Sequence, residues 1–319
     1  MSRQRIVIAG GTGFIGRALT AEFLARQYSV VILTRSPSTR AGNDCQELGW
    51  DGRNPGGWTA ALDGAAAIIN LTGKNINCPH TAENLRELTA SRVDSVHAIA
   101  TALGQIQRPP AVWVQAGATG FYGDTGDRSG DENSPAGTGA LAKICTAWEK
   151  SFQLAAAPAT RKVVLRIGFV LGRDGGALPV LSRLTKLFLG GAAGSGRQYI
   201  SWIYLADLVA MFVAAVEQAS LAGTFNAVAP CPVTNAEFMR ALRHALHRPW
   251  SPPAPEFAVR LGARLLRSEA ALALMSCRTL PRRFAESGFP YRFAGLAAAL
   301  DELTSPTPAL AITPPTESL

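Results

Sequence analysis

The sequence predicts an α/β fold in which helices cover both faces of a parallel sheet, an arrangement called doubly wound. The first observation is an apolar strand at residues 5–9 that runs directly into Gly10-x-x-Gly13-x-x-Gly16 and then into an amphipathic helix. The second is a series of later apolar runs, separated from one another by helical stretches. These predicted strands are 28–33, 66–70, 111–115 and 162–166. Because strands that alternate with helices pair in parallel, we expect one central parallel sheet.

The glycine spacing after the first strand is typical of a loop that binds the pyrophosphate of a dinucleotide. Gly10 permits a sharp turn, Gly13 permits a close approach to phosphate, and Gly16 lets the helix pack on the strand. Free amides at the helix start would face the anion. The residues assigned to cofactor contact are Gly10, Thr12, Gly13, Phe14, Ile15 and Gly16. The alternative is a glycine-rich turn with no ligand.

The residues after the second strand predict which dinucleotide binds. An acidic side chain at this point holds the ribose hydroxyls of NAD, whereas an arginine accommodates the 2′-phosphate of NADP. The sequence here is Thr34-Arg35-Ser36. Arg35 offers a planar donor fork suited to phosphate, with Ser36 beside it, so NADP (NADPH) is the predicted cofactor. The alternative for Arg35 is an ordinary surface arginine.

The third strand ends in a turn of small residues, Asn70-Leu71-Thr72-Gly73-Lys74. Open α/β sheets bind ligands at the carboxyl ends of their strands. Leu71, Thr72 and Gly73 are therefore predicted to line the cofactor. We expect the helix that follows, through residues 83–93, to serve mainly as scaffold.

The pattern changes along the chain and suggests two parts. Residues 1–175 are predicted to form a Rossmann-type core with a nucleotide site, completed by about 200–230. Residues 176–199 and 231–304 are predicted to form a smaller C-terminal α/β lobe that binds substrate. The proline-rich end, 305–319, is expected to be a disordered tail.

Composition narrows the class of protein. The chain has 319 residues, 47% of them hydrophobic, and no stretch of about 20 uninterrupted apolar residues that would span a bilayer. The first strand follows the opening residues at once, which leaves no room for a signal peptide. The five cysteines are scattered and odd in number, which fits a reducing compartment. A cytoplasmic protein without a membrane partner is the resulting expectation.

The net charge of +8 raises the question of a nucleic-acid partner. The arginines are spread along the chain, and the denser group at 260–283 lacks the interleaved aromatics of a base-stacking surface. We therefore expect no nucleic-acid binding. His244 and His247 have no third ligand at suitable spacing, so no metal site is expected either.

Taken together, these motifs resemble the extended short-chain dehydrogenase/reductase superfamily. Within it, the chain is similar to an atypical subgroup of "epimerase family" proteins, sometimes labelled cell-division-inhibitor-like, that carry a small C-terminal domain of unassigned role. The resemblance spans nearly the whole chain. Besides the segments above, it is carried by Ser91-Arg92-Val93, Gly120-Phe-Tyr-Gly123, Trp148-Glu149, the segment 165–172, Ser201-Trp202-Ile203, Asp207 and the segment 281–291.

The resemblance implies a catalytic set that this chain keeps only in part. In the superfamily a Tyr-x-x-x-Lys pair and a serine act together: tyrosinate exchanges a proton with the substrate hydroxyl, and lysine lowers the tyrosine pKa and holds the nicotinamide ribose. Lys143 matches the lysine, but Gly139 stands at the tyrosine position. Tyr122 is the predicted replacement acid, and the orienting hydroxyl of the serine is either missing or supplied by Thr119. The alternatives are a packed Tyr122 with an internally bonded hydroxyl and a solvated Lys143.

Of the remaining assignments, Asp207 resembles a position that shapes the substrate pocket, whereas Arg197 is assigned because it is flanked by glycines at the predicted cleft edge. Arg166 is assigned to cofactor contact. Arg197, Trp202 and Asp207 are assigned to substrate, with Arg197 able to clamp an anionic group through its planar fork. A salt bridge is the alternative role for Arg197, and a helix-start aspartate is the alternative for Asp207.

Two functions of different class follow. The first is an NADP-dependent oxidoreductase or epimerase-like enzyme that transfers hydride to or from an unidentified carbonyl, hydroxyl or sugar-nucleotide-like small molecule. The second is a non-catalytic NADP-binding redox sensor or regulatory protein, because the tyrosine is missing. Superfamily members often pair through outer helices, so the resemblance allows a homodimer, but the sequence does not fix the oligomeric state.

Overall fold

The computed structural model describes residues 3–38, 44–265 and 267–305. The strands in these ranges are β1 (Arg5–Ala9), β2 (Ser29–Thr34), β3 (Cys45–Gly49), β4 (Ala67–Asn70), β5 (Val112–Ala118), β6 (Arg161–Ile167), β7 (Phe169–Leu171), β8 (Tyr199–Ile200), β9 (Trp202–Tyr204), β10 (Gly223–Ala227) and β11 (Val233–Thr234). The helices are α1 (Phe14–Ala25), α2 (Ala82–Leu103), α3 (Ala140–Leu154), α4 (Leu178–Lys186), α5 (Leu205–Glu217), α6 (Asn235–Ala245), α7 (Glu256–Leu265), α8 (Ala271–Leu274), α9 (Arg282–Glu286) and α10 (Leu296–Thr304). Two 3₁₀ turns cover Gly57–Ala61 and Thr119–Tyr122.

Seven strands form one sheet in the order β10-β6-β5-β4-β1-β2-β3, and every pair is parallel. The chain moves from β1 to β2 on one side and to β4 on the other, so the direction of strand order reverses at β1. Such a switch point opens a crevice at the carboxyl ends of the strands, where open α/β sheets bind ligands. The predicted doubly wound, Rossmann-type fold is confirmed.

The core lies on both faces of this sheet because successive strand residues point to opposite sides. Ile6 and Ile8 of β1 pack into one buried cluster with residues of α1 and α5. Val7 of β1 packs into a second cluster, together with Ile99 of α2 and Phe152 of α3. This alternation explains why β1 is apolar at consecutive positions.

Two strands of the sheet were absent from the sequence prediction. β3 lies at one edge and carries the half-polar sequence CQELG, which gives no apolar run. β10 lies at the other edge and includes the fully buried polar residue Asn226. Edge strands need less apolar sequence than central ones, so hydrophobic pattern detects them poorly.

The C-terminal region contains smaller sheets and helices. β8 pairs antiparallel with β11, and β7 pairs parallel with β9. A third core cluster joins Leu178 of α4, Phe238 of α6 and Leu300 of α10. Although β10 comes later in the chain than the first elements of this region, it belongs to the large sheet, where it pairs with β6. Within the predicted tail, residues 306–319 lie outside the described residues.

Among the described residues, none of the helices combines the length and apolar character needed to cross a membrane.

Candidate cofactor and active site

The glycine loop between β1 and α1 is packed so tightly that two of its positions require glycine. Gly10 has a φ of +78°, and a Cβ there would lie 3.3 Å from the carbonyl carbon of Leu71. A Cβ on Gly16 would lie 2.5 Å from Cα of Gly11. The amide of Gly10 donates to the carbonyl of Leu33 at 3.0 Å. The loop is therefore fixed between the carboxyl ends of β2 and β4.

The start of α1 is open to an anion. Gly13 is the residue before the helix, it has an extended backbone, and no described side chain caps the first turn. The first-turn amides of Phe14, Ile15 and Gly16 have no partner within the helix itself. Thr12 and Gly13 are exposed in front of them. Since helix N-termini with free amides attract phosphate, the loop fits a dinucleotide pyrophosphate.

Arg35 and Ser36 stand where the prediction put them, directly after β2, and both are exposed. The guanidinium of Arg35 makes no hydrogen bond or ion pair with any residue in the described ranges. The amide of Ser36 donates to Oγ1 of Thr34 at 3.5 Å. The Arg35 side chain is thus free to contact a phosphate at the edge of the crevice.

The turn after β4 lies against the glycine loop. A Cβ on Gly10 would approach Thr72 N to 3.4 Å as well as the carbonyl of Leu71. The Thr72 amide donates to Oδ1 of Asn70 at 3.0 Å, while its Oγ1 is buried and has no partner among the described residues. A buried hydroxyl without a partner is costly, so this atom fits a ligand oxygen at the crevice.

A polar network that sequence analysis missed joins the end of β4 to the middle of β5 and to α2. Nδ2 of Asn70 donates to Oγ of Ser95 at 3.1 Å and to Oε1 of Gln115 at 3.0 Å. All three residues are fully buried. The available signal was a polar residue at the end of each of two predicted apolar strands.

Tyr122 occupies the 3₁₀ turn after β5 and points into the protein interior. Its hydroxyl donates to Oδ1 of Asn226 at 2.8 Å and accepts from Nη1 of Arg166 at 2.8 Å. The residue is 4% exposed, and burial raises its pKa to about 12. This geometry gives Tyr122 a structural role and counts against the predicted role of replacement acid, because both hydroxyl contacts are internal.

Arg166 also turns inward. Its Nε and Nη2 bind the two carboxylate oxygens of Glu149, and its Nη1 binds Tyr122. The guanidinium carbon lies 3.5 Å from the ring centre of Phe121. All of its nitrogens that could face a ligand are engaged, so the predicted cofactor contact is replaced by an internal ion pair. Glu149 is a structural partner that sequence analysis had noted only as part of a motif.

Lys143 and Thr119 stay near the carboxyl edge of the sheet. Lys143 is exposed in the first turn of α3 and its ammonium has no partner within the described ranges. Gly139, just before the helix, has a φ of +94° and open space at its Cβ position. Thr119 directly follows β5 and is 7% exposed. Of the predicted catalytic residues, Lys143 is the one with a free polar group on the surface.

The structure does not bring the three predicted substrate residues together in one site. Trp202 is fully buried in the third core cluster, and its indole N–H donates to the carbonyl of Cys231 at 3.0 Å. Asp207 is buried at the start of α5. Its carboxylate accepts hydrogen bonds from the backbone amides of Arg292 at 2.7 Å and Phe293 at 3.2 Å. Burial raises the pKa of Asp207. Both residues therefore have structural contacts in place of the predicted substrate contacts.

Arg197 is exposed in the loop before β8, and its guanidinium has no partner among the described residues. It remains available to an anion. No group of three or more metal-ligating side chains comes together in the described ranges.

Comparison with known proteins gives related sequences over nearly the whole chain. Residues 6–227 match the NAD dependent epimerase/dehydratase family, and residues 254–303 match a domain of unknown function, DUF1731. The chain is 36% identical over 305 residues to the epimerase family protein SDR39U1 of Bos taurus, which covers 94% of this chain and 99% of the relative. It is 31% identical over 303 residues to the epimerase family protein YfhF of Bacillus subtilis, covering 94% and 98%.

The chain is also similar to proteins of known structure. The crystal structure of human epimerase family protein SDR39U1 (isoform 2) with NADPH has a TM-score of 0.83 and 34% identity, covering 94% of this chain and 99% of that one. A nucleoside-diphosphate sugar epimerase from Corynebacterium glutamicum has a TM-score of 0.75 and 31% identity, covering 95% of this chain and 58% of that one.

Proposed function

The chain belongs to the NAD dependent epimerase/dehydratase family, and from this premise we propose that it is an NADP(H)-dependent oxidoreductase or epimerase-like enzyme. Its substrate would be a small carbonyl or hydroxyl compound or a sugar nucleotide. The observation that carries the proposal is the open glycine loop at the switch point of the sheet, with the unpartnered Arg35 at the end of the next strand. The human relative with NADPH supports the choice of cofactor.

Each part of the cofactor has a suitable partner in this chain. The first-turn amides of α1 bind the pyrophosphate, and Arg35 with Ser36 binds the 2′-phosphate. The unpartnered hydroxyl of Thr72 accepts or donates a hydrogen bond at the middle of the crevice. Lys143 holds the nicotinamide ribose from α3. The nicotinamide, when bound, supplies or accepts hydride.

Substrate binding falls to the surface beside the carboxyl ends of β4 and β5. Thr119 lies at the end of β5 and offers a hydroxyl for orienting a substrate carbonyl. Arg197, whose guanidinium has no partner among the described residues, lies in the loop before β8 and is suited to an anionic group of the substrate. With Tyr122 engaged internally, proton transfer would pass through solvent or Lys143.

A second function is favoured by one specific observation. Gly139 replaces the superfamily tyrosine, and the nearest tyrosine in the motif, Tyr122, has both of its hydroxyl contacts inside the protein. A chain that keeps the cofactor loop but no proton-exchanging tyrosine fits a protein that binds NADP(H) without turnover. Its role would then be sensing or regulation.

The deciding experiment is a fluorescence titration of the purified protein with NADPH and with NADH, followed by NADPH oxidation assays with ketones, aldehydes and sugar nucleotides. Tight NADPH binding with turnover of any carbonyl supports the enzyme. Tight binding with no turnover across the panel supports the second function. A preference for NADH, or binding of neither, contradicts both.

A further inference from the structure

Arg92 of α2 is a partly buried cation beside the turn that follows β4. Its guanidinium carbon lies 5.1 Å from the ring centre of Trp148 in α3. On its other side lies Gly73, where an added Cβ would come within 3.0 Å of the same carbon. Gly73 therefore leaves room for the Arg92 side chain between the β4 turn and α3.

The contacts of Arg92 do not balance its charge. Nη1 donates to the carbonyl of Leu88 at 2.9 Å, a bond within its own helix. Nε and Nη2 make no hydrogen bond with a described residue, and no described carboxylate lies within 4.0 Å. Burial lowers the pKa of Arg92. By contrast, Arg166, which is buried, is paired with Glu149.

A partly buried cation without a counter-charge loses part of its hydration, and a ligand that supplies an anion would offset that loss. The guanidinium fork is suited to carboxylate or phosphate, since two parallel N–H groups match two oxygens. Trp148 and Gly73 hold the side chain in place, so part of the entropy cost of ordering it is already met.

The sheet order places Arg92 away from the phosphates of the cofactor. Arg35 follows β2 on one side of β1, and the pyrophosphate loop follows β1 itself. Gly73 follows β4, on the opposite side of β1 from Arg35, and Trp148 lies on the helix that carries Lys143. Arg92 therefore lies on the same side of β1 as Lys143, which the proposed function assigns to the nicotinamide ribose.

We propose that Arg92 is a specificity-determining residue that binds an anionic group of the substrate, a carboxylate or a phosphate, beside the nicotinamide. The substrate class becomes a carbonyl or hydroxyl compound that carries such a group. This inference rests on the proposed function, because it uses the cofactor position to define the substrate side.

The test uses the variants Arg92→Gln and Arg92→Lys, with Arg86→Gln as a matched control. Arg86 lies on the same helix, is exposed, and likewise donates to the carbonyl four residues earlier, Ala82. Malonate and inorganic phosphate are titrated separately into each protein by calorimetry, with and without saturating NADPH. NADPH affinity is measured first for every variant.

We expect the wild type and Arg86→Gln to bind one of the two anions with a Kd in the millimolar range or below. Arg92→Gln should weaken that binding at least tenfold while leaving NADPH affinity within about twofold, as a bidentate charged contact predicts. Arg92→Lys keeps the charge but not the fork, so it should show an intermediate loss. It also tests the proposal if Arg92→Gln does not fold.

Equal anion binding in wild type and Arg92→Gln overturns the proposal, as does failure of the wild type to bind either anion. A tenfold loss of NADPH affinity in Arg92→Gln, without a separate loss of anion binding, assigns Arg92 to the cofactor and also overturns it. Failure of the proposed function is read independently from the wild type alone, which would then either bind no NADPH or bind it without turnover of any carbonyl in the panel.

Discussion

Arg166 holds the carboxylate of Glu149 through two parallel hydrogen bonds, from Nε to Oε1 at 2.9 Å and from Nη2 to Oε2 at 2.8 Å. The side chains are 6% and 3% exposed. Nη1 of the same guanidinium donates to Tyr122, whose hydroxyl donates to Asn226. The ion pair thus links α3, β6, the turn after β5 and β10 beneath the predicted active site.

The first prediction concerns this buried pair. Glu149→Gln leaves the charge of Arg166 buried without a counter-charge, so the free energy of unfolding should fall by about 3–5 kcal/mol. Urea unfolding measures the change. A double-mutant cycle with Arg166→Met should show that the two losses are not additive, since the double variant buries no unpaired charge. A loss below about 1 kcal/mol for Glu149→Gln would mean that water reaches the pair.

The second prediction concerns the phenol of Tyr122. Its pKa is about 12 in the folded protein, because burial disfavours the charged form, and about 10 in an unfolded chain. A raised folded pKa means that the associated stability is fully present below pH 10 and is lost as the pH rises from 10 to 12. Its full size is about 3 kcal/mol, since each unit corresponds to about 1.4 kcal/mol.

Tyr122→Phe removes that titration. The free energy of unfolding of this variant should therefore fall less between pH 8 and pH 11 than that of the wild type. At pH 8 it should already be lower than the wild-type value by about 1–3 kcal/mol, because Asn226 and Arg166 lose a hydrogen-bond partner. Urea unfolding at both pH values tests this. NADPH affinity should be unchanged at pH 8. A large loss of turnover with normal stability would instead restore Tyr122 as the proton donor.

The cofactor side of the molecule was predictable because local sequence determines it. The loop from Gly10 to Gly16 needs a particular backbone conformation and close packing. Both requirements select glycine, so they appear in the sequence as glycines at a fixed spacing. Arg35 follows a strong apolar strand, so its place at the sheet edge could be inferred from a few neighbouring residues.

The substrate side was less predictable because its contacts join distant parts of the chain. Asp207 binds amides 85 and 86 residues away, and Tyr122 binds Asn226 across 104 residues. No spacing rule in one sequence reports such pairs. Arg92 was not predictable for the same reason. It lies on a helix that was expected to be scaffold, and only the folded chain shows that its charge has no counter-charge nearby among the described residues.

The third prediction contrasts two glycines. Gly16→Ala places a methyl group 2.5 Å from the Gly11 backbone, so α1 must shift. It should lower the free energy of unfolding by about 1–3 kcal/mol, as overpacking does, and weaken NADPH binding. Gly262→Ala in α7 meets no atom within 4 Å. It should raise stability by up to about 1 kcal/mol, the difference in helix propensity, and leave NADPH binding unchanged. Thermal unfolding and NADPH fluorescence distinguish the two, and equal effects would contradict the packing argument.

The fourth prediction assigns Asp207 to folding. Asp207→Asn replaces one of its two acceptor oxygens with an amide donor, which then faces the backbone N–H of Arg292 or Phe293. We expect a loss of about 1–3 kcal/mol in the free energy of unfolding, with NADPH affinity retained. Asp301→Asn, an exposed aspartate on α10, is the control and should change little. If Asp207→Asn instead raises KM at normal stability, the residue contacts substrate after all.

The fifth prediction tests the cofactor choice through Arg35. A charge-assisted bond to phosphate contributes about 1.5–3 kcal/mol, so Arg35→Gln should weaken NADPH binding by about 10- to 100-fold. NADH has no 2′-phosphate, and its affinity should change less than about twofold.

Arg240→Gln, at an exposed arginine on α6, removes the same charge far from the glycine loop along the sequence and controls for net charge. Fluorescence titration measures the six affinities of the wild type and the two variants for NADPH and NADH. The ionic strength is kept fixed, because salt screens the effect of distant charges. If Arg35→Gln weakens NADPH and NADH equally, the guanidinium contacts a part that the two cofactors share, and the basis for preferring NADP is lost.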